Sequence, residues 1–139
     1  MAKKFFAGNY DGDLGWEDNN SDFHLEISSM EVQFPDDSSK LFKGLRGEIT
    51  IHPQIDTSNV INMSQIFART EKANPNISNR DTSSLTDTLR MFSRAAVVTE
   101  LDLTNWDTAK IARGDQMFSG MSGLRFLEFK GLPANVFGP

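Results

Sequence analysis

The chain has 139 residues, 24% of them charged and 38% apolar, and a net charge of −5. That is enough chain for one continuous core but not for two independent ones. Cysteine is absent, which excludes disulfides, thiolate zinc sites and cysteine nucleophiles. The acid excess, with no basic run along the sequence, makes nucleic acid and anionic membrane surfaces poor partners.

No apolar stretch reaches membrane-spanning length, and Met1-Ala2-Lys3-Lys4 carries no signal-peptide pattern, so no membrane insertion is expected. After Phe5-Phe6 comes a polar loop, Asn9 to Asn20, whose density of Gly, Asn and Asp favours turns. Within it Asp11, Asp13, Gly15 and Asp22 faintly resemble a calcium loop. An EF-hand wants Gly at its sixth position and Glu at its twelfth, where this chain has Trp16 and Asp22, so a solvated turn is expected instead.

From Phe23 the pattern alternates. Phe23, Leu25 and Ile27 face one way and His24 and Glu26 the other; after Ser28-Ser29, Met30, Val32 and Phe34 alternate again. This predicts a β-hairpin closed by Pro35-Asp36-Asp37. Residues 1–37 are therefore expected to be an N-terminal loop and hairpin cap, and residues 38–139 a repeat array within the same structural domain.

The repeat is read from spacing. Asp56-Thr57-Ser58, Asp81-Thr82-Ser83 and Asp107-Thr108-Ala109 start equivalent blocks 25 and 26 residues apart, and each Asp is followed 11 residues later by Phe67, Phe92 or Phe118. Between these ends, Val60, Met63, Ile66 and Phe67 form a stripe at helical spacing, as do Leu85, Leu89 and Phe92. Helices are thus predicted near 59–67, 84–92 and 110–118, the last weakened by Gly114, and parallel strands near 49–51, 76–78, 101–103 and 127–129. Pro75 makes the second of these strands short. Units of this length fall in the leucine-rich-repeat range. The expected fold is an α/β leucine-rich-repeat-like solenoid of about three strand–helix units, with the phenylalanines in one aromatic column. Asp56, Asp81 and Asp107 could cap the helices or bond to the next unit's turn; the sequence leaves both open.

Asp56 through Phe67 resembles the repeat of the BspA-like leucine-rich-repeat bacterial surface proteins, also seen in Mycoplasma surface lipoproteins. So does Leu101-Asp102-Leu103-Thr104-Asn105-Trp106-Asp107-Thr108, followed by Met117-Phe118-Ser119-Gly120. The likeness covers about residues 38–132. It departs from the pattern at Arg80, which stands where Trp106 stands one unit later, and at Ala112-Arg113-Gly114. The resemblance implies a cell-surface or secreted protein with adhesive or binding roles, and carries over no catalytic residues.

No catalytic constellation appears in the residues themselves. His24 and His52 are read as surface or edge residues, no serine sits in a nucleophile motif, and neither a metal site nor a cofactor is expected. Trp106, at a corner matched by Ile55 and Leu132, is read as structural. The expected function is a non-enzymatic extracellular binding or adhesion module, the alternative being a structural spacer that holds another domain away from the cell wall. Thr50, Asp102 and Glu128 occupy equivalent strand positions in successive units. They form the candidate binding face, and the partner class is a host or matrix protein or a glycan.

Overall fold

A computed structural model describes residues 2–4, 12–29 and 32–137; its regular structure is five short strands and two 3₁₀ turns, Trp16–Asp18 and Ala134–Phe137. The strands are β1 (Ala2–Lys4), β2 (His24–Ile27), β3 (Ile49–Ile51), β4 (Glu100–Asp102) and β5 (Phe126–Glu128). All pairing is parallel, in a three-stranded sheet β1-β2-β3 and a two-stranded sheet β4-β5.

The expected helix–strand solenoid is overturned: among the described residues there is no α-helix. The segments predicted as helices are runs of tight turns, and their hydrogen bonds show why. Alternate amides stay local, from Ile66 to the Met63 carbonyl and from Ala68 to Gln65. The amides between them leave the segment altogether: Gln65 donates to Leu89, Phe67 to Met91 and Arg69 to Ser93. The next coil repeats this, with Arg90 donating to Asp115, Phe92 to Met117 and Arg94 to Ser119. An α-helix would use all of these donors within itself, and a stretch this short would be marginal as a helix. Here half of them join one coil to the next. Isolated parallel bridges Asp37–Asn62, Asn62–Asp87 and Asp87–Arg113 extend the same ladder.

Keeping the chain in this path requires left-handed residues at two places per coil. Lys40, Gln65, Arg90 and Gln116 have φ between 50° and 61°, and Gly44, Arg69, Arg94 and Gly120 have φ between 58° and 78°. Asx turns help to set the corners: Asn62 Oδ1 accepts from Ser64 N at 2.8 Å and Asp87 Oδ1 from Leu89 N at 2.9 Å. Gly114, which in the sequence only weakens a predicted helix, is a packing position. A Cβ there would come within 2.9 Å of Val136 Cγ1 and 3.0 Å of Thr88 Oγ1.

The predicted hairpin is also corrected. Strand β2 pairs in parallel with β3, Leu25 opposite Ile49 and Ile27 opposite Ile51, and on its other side with β1. Val32 and Phe34 are buried but lie in no strand, while Met30 falls outside the described residues. The segment is a further coil of the stack, not a cap folded back on itself. Strands form at 49–51 and near 101–103 and 127–129, but 76–78 is strandless, which divides the ladder into two sheets. At that gap Arg80 takes over. Its guanidinium donates to the carbonyls of Ile51 at 3.0 Å, His52 at 2.8 Å and Ile55 at 3.5 Å, and its Nε donates to Asn76.

The core is a single apolar cluster running the length of the stack. Its spine is a file of rings: Phe42, Phe67, Phe92 and Phe118 lie near-parallel, with successive centroids 5.6, 5.9 and 6.3 Å apart. Phe34 meets one end edge-on, and Phe137 covers Phe118 at the other. Trp106 is buried and donates through Nε1 to the Ile77 carbonyl at 3.0 Å.

The repeated aspartates close Asx turns. Asp56 Oδ1 accepts from Ser58 N at 2.8 Å, Asp81 Oδ1 from Ser83 N at 2.9 Å, and Asp107 Oδ1 from Ala109 N at 3.1 Å. Bonds from the serine hydroxyl, and then from its amide, hold the Asp56 and Asp81 carboxyls below their ordinary range. The bond between coils belongs to the neighbouring threonine. Thr57 Oγ1 donates to the Asp81 carbonyl at 2.8 Å; Thr82 Oγ1 donates to the Asp107 carbonyl at 3.1 Å and accepts from Asp107 N at 2.9 Å. Because Thr82 is buried and Asp81 exposed, Thr82→Val should cost about 1–3 kcal/mol and Asp81→Ala less than about 1.5 kcal/mol in urea melts. The reverse order would place the inter-coil bond on the aspartate.

Candidate binding surfaces

The three residues singled out as a binding face are all exposed, but they fall on two sheets. Thr50 is the outward residue of β3, opposite Glu26 of β2, with its hydroxyl 2.6 Å from His24 Nε2. Asp102 and Glu128 are direct register partners on β4 and β5. The strandless stretch at 76–78 separates Thr50 from this pair, so the structure joins two of the three.

The β4–β5 face holds more than the sequence suggests. Because alternate residues of a strand share a side, Glu100 and Phe126, also register partners, stand beside Asp102 and Glu128. Phe126 is 67% exposed, the most exposed of the described large apolar side chains. It lines a shallow depression of about 300 Å³ with Ser78 and the three acids. The Thr104 hydroxyl and amide both donate to Asp102 Oδ1, at 2.6 and 3.0 Å, and these bonds lower its carboxyl below the ordinary value. Asp102 is therefore charged and held in place. A ring among three carboxylates offers apolar contact to a ligand group whose polar part is cationic.

A second surface runs along the turns. A polar groove of about 510 Å³ is lined by Lys43, Arg69, Arg90 and Arg94, by Gln65 and Gln116, and by small residues and Glu17. Its cations come from three successive coils, so the stacking assembles a basic stripe that cannot be seen along the sequence. Two members are partly offset. Lys43, half-buried, lies 3.7 Å from Asp13, and Arg69 lies 3.5 Å from Glu17 in an exposed pair; pairs that reach solvent in this way are individually weak.

Of the other residues noted in the sequence, Asp11 lies outside the described residues and the rest make contacts within the stack. Trp16 in the acidic loop donates to the Leu41 carbonyl at 2.9 Å and packs edge-on against Phe23. Asp13 Oδ1 accepts from Gly15 N in a local turn. His52 Nδ1 accepts from Gln54 N. Among the described residues, no cluster of acids and histidines could hold a metal ion.

Residues 28–126 match the family described as Mycoplasma protein of unknown function, DUF285. The chain belongs to this family. The matched span begins just after β2 and ends at the first residue of β5, so it takes in the coils that carry the aromatic file and the basic groove. No curated protein matches the chain, and no solved structure does.

Proposed function

We propose that this DUF285 protein is a non-enzymatic binding module of the bacterial cell exterior, of the BspA-like kind, and that it engages its partner through the β4–β5 face. The observation that carries the reading is Phe126, exposed beside Glu100, Asp102 and Glu128 on one strand pair. An exposed aromatic ring among fixed charges is the composition of a recognition patch. The repeat's likeness to surface proteins supports the cellular location. The partner is a host or matrix protein presenting a cationic side chain next to an apolar one, or a hydroxyl-rich glycan.

The rival is a spacer that displays another domain, and the continuous inter-coil ladder would suit it. A spacer has no use for a large ring exposed in a nest of acids, which is why binding is preferred. The test is a screen of immobilised matrix proteins and glycans with the isolated chain, followed by two variants. Asp102→Ala combined with Glu128→Ala, and Phe126→Ala alone, should each weaken a hit by about tenfold or more while leaving the fold intact. Unchanged affinity in both would remove this face from consideration.

A further inference from the structure

The basic groove lies on a different stretch of each coil from the sheet face, and it is unexpected in a chain of net charge −5. Its most cationic part is Arg90 and Arg94, for which the described residues supply no carboxylate partner. The Arg90 side chain is held by a hydrogen bond and the Arg94 stem packs against the next coil. Arg90 Nε donates to Gln116 Oε1 at 2.9 Å, which leaves its two terminal nitrogens free to point elsewhere. Arg94 lies across Gly120, where an added Cβ would come within 2.8 Å of its Cγ.

The backbone gives a second and independent indication. At the left-handed position where the outer coils have Gly44 and Gly120, the central coils have Arg69 and Arg94. Glycine takes that conformation freely, whereas a residue with a Cβ is strained there by roughly 1 kcal/mol. The coil path requires a left-handed residue here, and glycine would meet that requirement without strain. Strain of this kind collects where a side chain is required for function.

We infer that this groove is an anion-binding site for a sulfated glycan. Arg69 and Arg94 hold equivalent places on successive coils, and each guanidinium can present two parallel N–H groups to a sulfate. The Gln65 and Gln116 amides and the Ser93 and Ser119 hydroxyls beside them suit sugar hydroxyls. The lining contains no aromatic ring on which a base could stack, which disfavours single-stranded nucleic acid. The acidic remainder of the molecule would be repelled by an anionic bilayer, whereas a short oligosaccharide need touch only the groove.

The experiment is fluorescence anisotropy of a labelled, highly sulfated heparin-type tetrasaccharide with the whole chain, at about 50 mM salt, where screening is modest. Saturable binding that weakens as salt rises is expected. Arg90→Gln combined with Arg94→Gln should reduce affinity by about tenfold or more, since two charge-assisted contacts are lost. Glutamine already occupies the Arg90 position in the neighbouring coils, so this variant should fold. Glu17→Gln, which releases Arg69, should instead tighten binding severalfold. A thymidine oligonucleotide of equal charge and phosphatidylserine vesicles should both bind more weakly than the tetrasaccharide. Absence of saturable binding, equal affinity in the double variant, or tighter binding of the oligonucleotide or vesicles would overturn the assignment.

Discussion

Phe92→Ala is expected to destabilise the protein by about 3–5 kcal/mol, the range found when a buried phenylalanine is truncated and its cavity persists. Phe92 is fully buried and stacked on both sides, 5.9 Å from Phe67 and 6.3 Å from Phe118. Removing it interrupts the file at its centre, where neither neighbouring coil can collapse without breaking its amide bonds to the next. A domain of this size typically has roughly 5–15 kcal/mol of net stability, so the loss endangers folding. Urea unfolding gives the number, and a loss below about 1 kcal/mol would mean that the ring does not belong to the core.

Arg80 is the second position where a large effect is expected. Only 8% of it is exposed, no carboxylate among the described residues pairs with it, and burial pushes its guanidinium pKa down. What it does is bond to the carbonyls of Ile51, His52 and Ile55 beside the strandless stretch at 76–78, the first of which Asn76 Nδ2 also reaches. Arg80→Ala should therefore cost about 3–5 kcal/mol, from a cavity together with the loss of its bonds to four carbonyls. Arg80→Trp should cost far less. Trp106 occupies the same corner one coil later and donates to the Ile77 carbonyl, just as Arg80 Nη2 donates to that of Ile51. Thermal melts of the two variants check this. Equal losses from alanine and tryptophan would show that the corner needs the charge rather than an N–H donor in a large side chain.

The repeat length is legible in the sequence because the Asp corner and the Phe anchor recur at a fixed interval, and the same interval separates coils joined by hydrogen bonds. The helices predicted from the sequence do not form, for a physical reason. A stripe such as Val60, Met63, Ile66 and Phe67 satisfies a helix, but its first three members are three apart, which consecutive turns satisfy equally well. Asn59, Asn62 and Ser64 in the same stretch were the missed signal, since such side chains compete with a helix for its backbone groups. The hairpin was misread because alternation at Phe23 to Ile27 is the same for parallel and antiparallel strands, and β2 finds its partner at Ile49–Ile51 instead. Of the sheet-face residues, Asp102 and Glu128 come together because their register matches the repeat. Phe126 escaped notice because its exposure depends on which face Leu127 buries. The basic groove could not be read at all, because its cations are far apart in the chain and meet only through stacking.

The turn segments bond to the next coil instead of forming helices. Scalar couplings across hydrogen bonds, measured by NMR on the isotope-labelled protein, test it directly. The Phe67 amide nitrogen should couple to the carbonyl carbon of Met91, and that of Phe92 to Met117. Couplings from Phe67 to Met63 and from Phe92 to Thr88, the pattern of an α-helix, would contradict the account.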